Sequence, residues 1–113
     1  MSETLPYVRV ASAVEIPEGE LRGYEVTEGR VVVGRVEHEV FALGDECPAD
    51  GCSLSEGSVD EVNEAVLCPC DGSAFDVRTG EPVDGPAVDP VPVRRVRIDD
   101  GWVEVGPEIG GRG

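Results

Sequence analysis

The sequence predicts an all-β domain, an antiparallel sandwich or barrel, and three observations carry that expectation. Apolar and polar residues alternate with a period of two along most of the chain, as on strands with one buried and one wet face. Val and Gly are abundant and Pro occurs nine times, against two Phe, two Tyr and one Trp, a balance suited to short strands joined by tight turns. Turn signals such as Glu28-Gly29 and Asp99-Asp100-Gly101 stand between the apolar runs.

Residues 7–11 read as the first strand, and residues 14–19, with Pro17, as a connection. Residues 24–26 and 30–36 flank Glu28-Gly29 as a hairpin, and residues 40–43 follow a turn at Glu37-His38. That strand runs into a cysteine box, Cys47-Pro48-Ala49-Asp50-Gly51-Cys52. Polar residues 53–63 follow, with Gly57 as punctuation. The apolar run Ala65-Val66-Leu67 then enters a second box, Cys68-Pro69-Cys70-Asp71-Gly72-Ser73. Each box sits on a strand-to-loop exit, so two hairpin tips can face one another. Residues 75–77 form a short strand turned by Thr79-Gly80-Glu81-Pro82, and residues 84–92 are too proline-rich for a central strand and too short for a flexible linker. Residues 93–98 and 102–105 make a final hairpin. One domain is expected over residues 1–105 and a flexible tail over residues 106–113, which contain four Gly.

Charge excludes several functions. The chain carries 24 acidic residues against nine Arg and no Lys, a net charge of -15. With no basic patch to release counterions, nucleic acid and anionic membrane surfaces are repelled. No charged start followed by an apolar stretch is present, so neither a signal peptide nor a membrane span is expected and a cytoplasmic address follows. In that reducing compartment clustered cysteines are more often metal ligands than structural disulfides. No Ser-His-Asp set, phosphate loop or paired-carboxylate cleft can be assembled, which disfavours hydrolysis and phosphoryl transfer.

All four cysteines lie in the two boxes, which places the chemistry there. The boxes resemble those of Rieske iron-sulfur proteins, whose pattern is Cys-x-His in the first loop and Cys-x-x-His in the second. The match is closest to the high-potential branch of cytochrome bc complexes, where each box has an extra cysteine and the two extras form a disulfide. The resemblance implies that Cys47 and Cys68 are metal ligands and that Cys52 and Cys70 take the disulfide roles. The two histidine positions hold Ala49 and Asp71. Leu54-Ser55-Glu56-Gly57 and the stretch from Gly72 to Pro82 extend the likeness over residues 7–105, and Gly85-Pro86-Ala87 looks like the loop that covers the cluster from a third side. By the same resemblance Ser73 donates its hydroxyl toward a cluster sulfide and the amides of Gly51 and Gly72 approach closely. Phe75 stands where high-potential members have Tyr.

The family's fold is then a Rieske-like antiparallel sandwich or barrel. The function it implies is a soluble ferredoxin-type electron carrier with a [2Fe-2S] cluster, feeding an oxygenase or similar oxidoreductase. Its redox partner, an oxygenase or reductase, would dock on the acidic surface.

Three assignments of the thiols stay open. Cys47, Cys52, Cys68 and Cys70, or three of them with Asp71, hold a cluster or a mononuclear iron. Zinc binds all four thiolates in a closed tetrahedron. In the third, no metal is bound, Cys52 pairs with Cys70, and Cys47 and Cys68 are free or form a second disulfide; the family offers that precedent in the small subunit of assimilatory nitrite reductase, a structural or interaction module. His38, the chain's single histidine, reads as a solvated turn residue, Trp102 as core or sheet edge, Asp71 as part of a tight Asp-Gly turn, and Asp60, Glu61 and Glu64 as a solvated face.

Overall fold

The computed structural model describes residues 7–26 and 29–109. Ten strands and two short 3-10 turns build two antiparallel sheets. The strands are β1 (Val8–Ser12), β2 (Leu21–Val26), β3 (Gly29–Val36), β4 (Glu39–Gly44), β5 (Ser58–Asp60), β6 (Ala65–Leu67), β7 (Ala74–Asp76), β8 (Pro82–Asp84), β9 (Val93–Asp99) and β10 (Trp102–Glu108). The larger sheet has the order β1-β10-β9-β4-β3-β2 and the smaller β5-β6-β7-β8. Among the described residues no helix is long and apolar enough to cross a membrane.

Hairpins form where the sequence places them. Glu37 and His38 join β3 to β4 with positive φ at both positions, and Asp100-Gly101 joins β9 to β10 in the same way. This backbone hand matches the right-handed twist of the flanking strands. The hairpin expected around Glu28-Gly29 exists as the β2–β3 pair, although Glu28 lies outside the described residues.

Three expectations need correction. Residues 53–63, read as one polar connection, contain a 3-10 turn (Leu54–Glu56) and strand β5, whose half-buried, mostly polar residues give little periodic signal. The turn after Thr79 leads into β8, a sheet-edge strand that opens with Pro82, where the missing amide removes no interior ladder bond. The last strand continues past Val105 to Glu108, and the Ile109 N–H donates to the Val93 carbonyl, so residues 106–109 belong to the sheet rather than to a tail.

The one-wet-face pattern also fails at the centre of the large sheet, for a reason that positions the site. Val31 and Val33 of β3 join Ala11, Ile16, Ala42, Val103 and Val105 in one core. Val32 and Val36 face the other way, into a second core with Leu43, Leu54, Val66, Phe75 and Val77. The small sheet and the loops before it cover the outer face of β3 and β4, so these strands are buried on both sides. Cys47 and Cys68 belong to this second core. The expected strand-to-loop exits are present: β4 leads into the first box and β6 into the second.

Phe75 is fully buried in the core that carries both cysteines, whereas Val83 on β8 is largely exposed. Phe75→Ala is expected to cost about 3–5 kcal/mol in urea unfolding, and Val83→Ala to stay within about 0.5 kcal/mol.

Candidate metal centre

The two boxes fold into congruent tips. In the first, the Cys47 N–H donates to the Cys52 carbonyl at 2.9 Å and the Gly51 N–H to the Cys47 carbonyl at 2.8 Å. In the second, the Cys68 N–H donates to the Ser73 carbonyl at 2.8 Å and the Gly72 N–H to the Cys68 carbonyl at 3.1 Å. Gly51 and Gly72 sit at φ +80° and +77°, a region that side chains disfavour, which is why each tip can close. Their amides are spent on closing the loops, so the expectation that they approach a bound group is replaced by this structural role.

An aspartate precedes each of these glycines and caps its own tip. Asp50 Oδ1 accepts from the Cys52 N–H at 3.0 Å, and Asp71 Oδ1 accepts from the Ser73 N–H at 2.9 Å. This turn role for Asp71 was legible in the sequence. Its counterpart in the first tip is Asp50, and both boxes share the pattern Cys-Pro-x-Asp-Gly.

A disulfide joins the tips. Cys52 and Cys70 are bonded, with Cα atoms 6.4 Å apart, while Cys47 and Cys68 are free and buried. The four cysteines therefore divide into a clamp and a pair of available donors, which leaves the four-thiolate iron and zinc arrangements without two of their ligands.

The available donors are four. One ligand atom from each of Cys47, Asp50, Cys68 and Asp71 lies within 4.8 Å of every other. Cys68 Sγ stands 3.6 Å from both carboxylate oxygens of Asp50. The Cys68 thiol also touches the Cys47 thiol and the Asp71 carboxyl, and the two carboxyls touch each other, so the four donors form one group. The sulfurs face the core, Asp71 is half-buried and Asp50 exposed. Burial pushes the Cys68 thiol up to about 11 from an ordinary 9.0, opposed by backbone hydrogen bonds from Asp71 and Cys70 and reinforced by the neighbouring Cys47 thiol and Asp71 carboxyl. The Ser73 amide, foremost, holds the Asp71 carboxyl below its usual range.

Around the donors the other anticipated residues fall close by. Leu54 is fully buried against the same core as the two thiols. Ser73 is fully buried; its hydroxyl donates to the Asp71 carboxyl, and its Oγ accepts the Ala87 N–H at 3.0 Å. That bond ties the Gly85-Pro86-Ala87 loop to the second tip, with Pro86 exposed and Ala87 buried. Gly85, at φ +92°, packs so near that a Cβ would stand 2.5 Å from Ser73 Cα. Asp45 anchors the base of the first tip, accepting from the Ser55 N–H at 2.7 Å and from Arg30 Nε at 3.2 Å. Ala49 is exposed and brings no donor atom. His38 lies at the β3–β4 turn, its side chain 95% exposed beside Glu18, outside the donor set.

A model of the Rieske [2Fe-2S] domain matches residues 6–95. The chain belongs to the Rieske family. The anthranilate 1,2-dioxygenase ferredoxin subunit of Burkholderia cepacia is 41% identical over 75 residues, covering 66% of this chain and 68% of that one. Among solved structures, the ferredoxin of carbazole 1,9a-dioxygenase from Nocardioides aromaticivorans IC177 superposes with TM-score 0.86 at 31% identity, over 89% of this chain and 97% of the other. A ferredoxin chain from the complex of reduced oxygenase and oxidised ferredoxin in carbazole 1,9a-dioxygenase gives TM-score 0.85 at 31% identity, over 93% and 96%. The all-β Rieske fold expected from the boxes is therefore present, and the family implies a [2Fe-2S] cluster between them.

The residues present fit that cluster in number but not in element. A Rieske centre puts two thiolates on one iron and two imidazoles on the other. This Rieske chain offers the sulfur pair, but the second pair consists of carboxylates.

Unfolded without reductant, the metal-free protein is expected to show two titratable thiols, and four after reduction. A folded-state thiol pKa above the ordinary value contributes stability that is complete below pH 9 and is lost as pH rises through about 11. Urea midpoints of the metal-free chain should fall over that window, and Cys68→Ser should flatten the fall.

Proposed function

We propose that this chain is the ferredoxin component of an oxygenase system, an electron carrier and not itself a catalyst. The observation that carries the reading is the whole-length likeness to ferredoxin subunits, combined with a pair of clamped tips that present free cysteine donors at one end of the fold. A [2Fe-2S] cluster, when bound there, supplies one-electron transfer. Cys47 and Cys68 would hold one side of it from the protein core, beside Ser73, whose hydroxyl is hydrogen-bonded to Asp71. The Pro86-Ala87 loop and Leu54 exclude water from the buried side. A low-dielectric wall behind the sulfurs and an exposed edge at Asp50 leave one direction for electrons to leave.

The partner is a terminal oxygenase, as in the solved complex that this chain resembles. Exposed Glu46 and Asp50 lie at the first tip, Asp84 ends β8 and Asp89 lies on the loop after it, so the partner's docking face is basic. The cytoplasm is the compartment that this role suits.

Anaerobically purified protein is expected to be coloured, with iron and acid-labile sulfide in equal amounts. Mixed with the oxygenase component, the reduced protein should be reoxidised at a rate that falls as salt rises, because the steering charges are exposed. A colourless chain without iron, or a reduced chain that no oxygenase reoxidises, would overturn the reading.

A further inference from the structure

We infer that Asp50 and Asp71 are the second pair of cluster ligands, so that the centre is held by two thiolates and two carboxylates with no coordinated nitrogen. The inference rests on the cluster-bearing carrier role proposed above and assigns its ligands.

Asp71 lies on a histidine position of the family's second box, whereas Ala49, on that of the first, has no donor atom. The structure supplies the missing donor from the next residue. The Cys47 and Cys68 thiols are each at least 97% buried and point into the same group as both carboxylates, with donor atoms within 4.8 Å. Two thiols on the core side and two carboxyls at the solvent edge, all within reach of one point, make a donor set for a shared cation.

Each aspartate reaches the centre for the same local reason. The Cys-Pro-x-Asp-Gly tip turns its aspartate inward to accept the N–H two residues on, through Oδ1. A second carboxylate oxygen remains for the metal. The thiols lie on the core side and the carboxylates toward solvent, so one iron would receive sulfur and the other oxygen. Carboxylate is a hard donor and suits ferric iron on that side. Two anionic ligands in place of two neutral imidazoles make the centre more negative by two charges, which lowers its potential relative to an imidazole-ligated form.

The test uses full-length protein reconstituted anaerobically with ferrous iron and sulfide. Asp50→Asn and Asp71→Asn keep an Oδ1 acceptor for the Cys52 and Ser73 amides, so the tips stay closed while the anionic ligand is lost. Circular dichroism and the Cys52–Cys70 disulfide count confirm that each variant is folded. Wild type is expected to take up two iron and two sulfide, and its reduced form to show no strong nitrogen coupling in pulsed electron paramagnetic resonance. The double Asn variant should hold at least tenfold less iron, while Ala49→Ser leaves uptake unchanged. Ala49→His/Asp71→His should restore strong nitrogen couplings at a higher potential than wild type. Full uptake by the double Asn variant, or strong nitrogen coupling in wild type, overturns the ligand assignment alone. A wild-type chain that takes up neither iron nor sulfide overturns both this assignment and the carrier role.

Discussion

The functional end of this molecule depends on the covalent clamp between Cys52 and Cys70. Two tips carrying two thiols and two carboxyls would drift apart as those groups ionise. Like charges on the two tips repel, and solvent at the carboxyls screens only part of that repulsion. The disulfide opposes that separation from just outside the donor set, and the apolar core beneath it opposes it from inside. Neither would suffice without the other. The core buries Cys47 and Cys68 but lies under only one side of the tips, whereas the disulfide ties the exposed rims.

This division of labour explains why the fold buries β3 on both faces. Val31 and Val33 serve a core of the large sheet. Val32 and Val36 help make the floor on which the two cysteine loops and Phe75 rest. The small sheet is short and edged by a proline-started strand, so on its own it would be a marginal unit. Its stability comes from packing on that floor, and the Ala87–Ser73 hydrogen bond then draws the covering loop down onto the second tip. A tertiary feature far from the tips thereby sets how dry the sulfur side of the centre is.

Much of this was legible in the residues. Period-two alternation and the turn signals were enough for most of the long strands, and the boxes revealed the family and offered the clamp with its free pair as one of three arrangements. The parts that escaped did so for physical reasons. Strand β5 is polar and only half-buried, so it lacks the alternation that marks a strand, and β8 starts at a proline that argues against one. Asp50 escaped because matching the boxes by their histidine positions directs attention to Ala49. The relevant regularity is internal to the chain: both tips repeat Cys-Pro-x-Asp-Gly, and the turn chemistry of that repeat, more than the position of a lost imidazole, decides which side chain reaches the centre.

Iron K-edge X-ray absorption on the iron- and sulfide-loaded protein addresses the central claim most directly. The account predicts sulfur and oxygen scatterers around iron, a short iron–iron vector and no outer-shell pattern from imidazole rings. An imidazole pattern, or iron surrounded by sulfur alone, would contradict it.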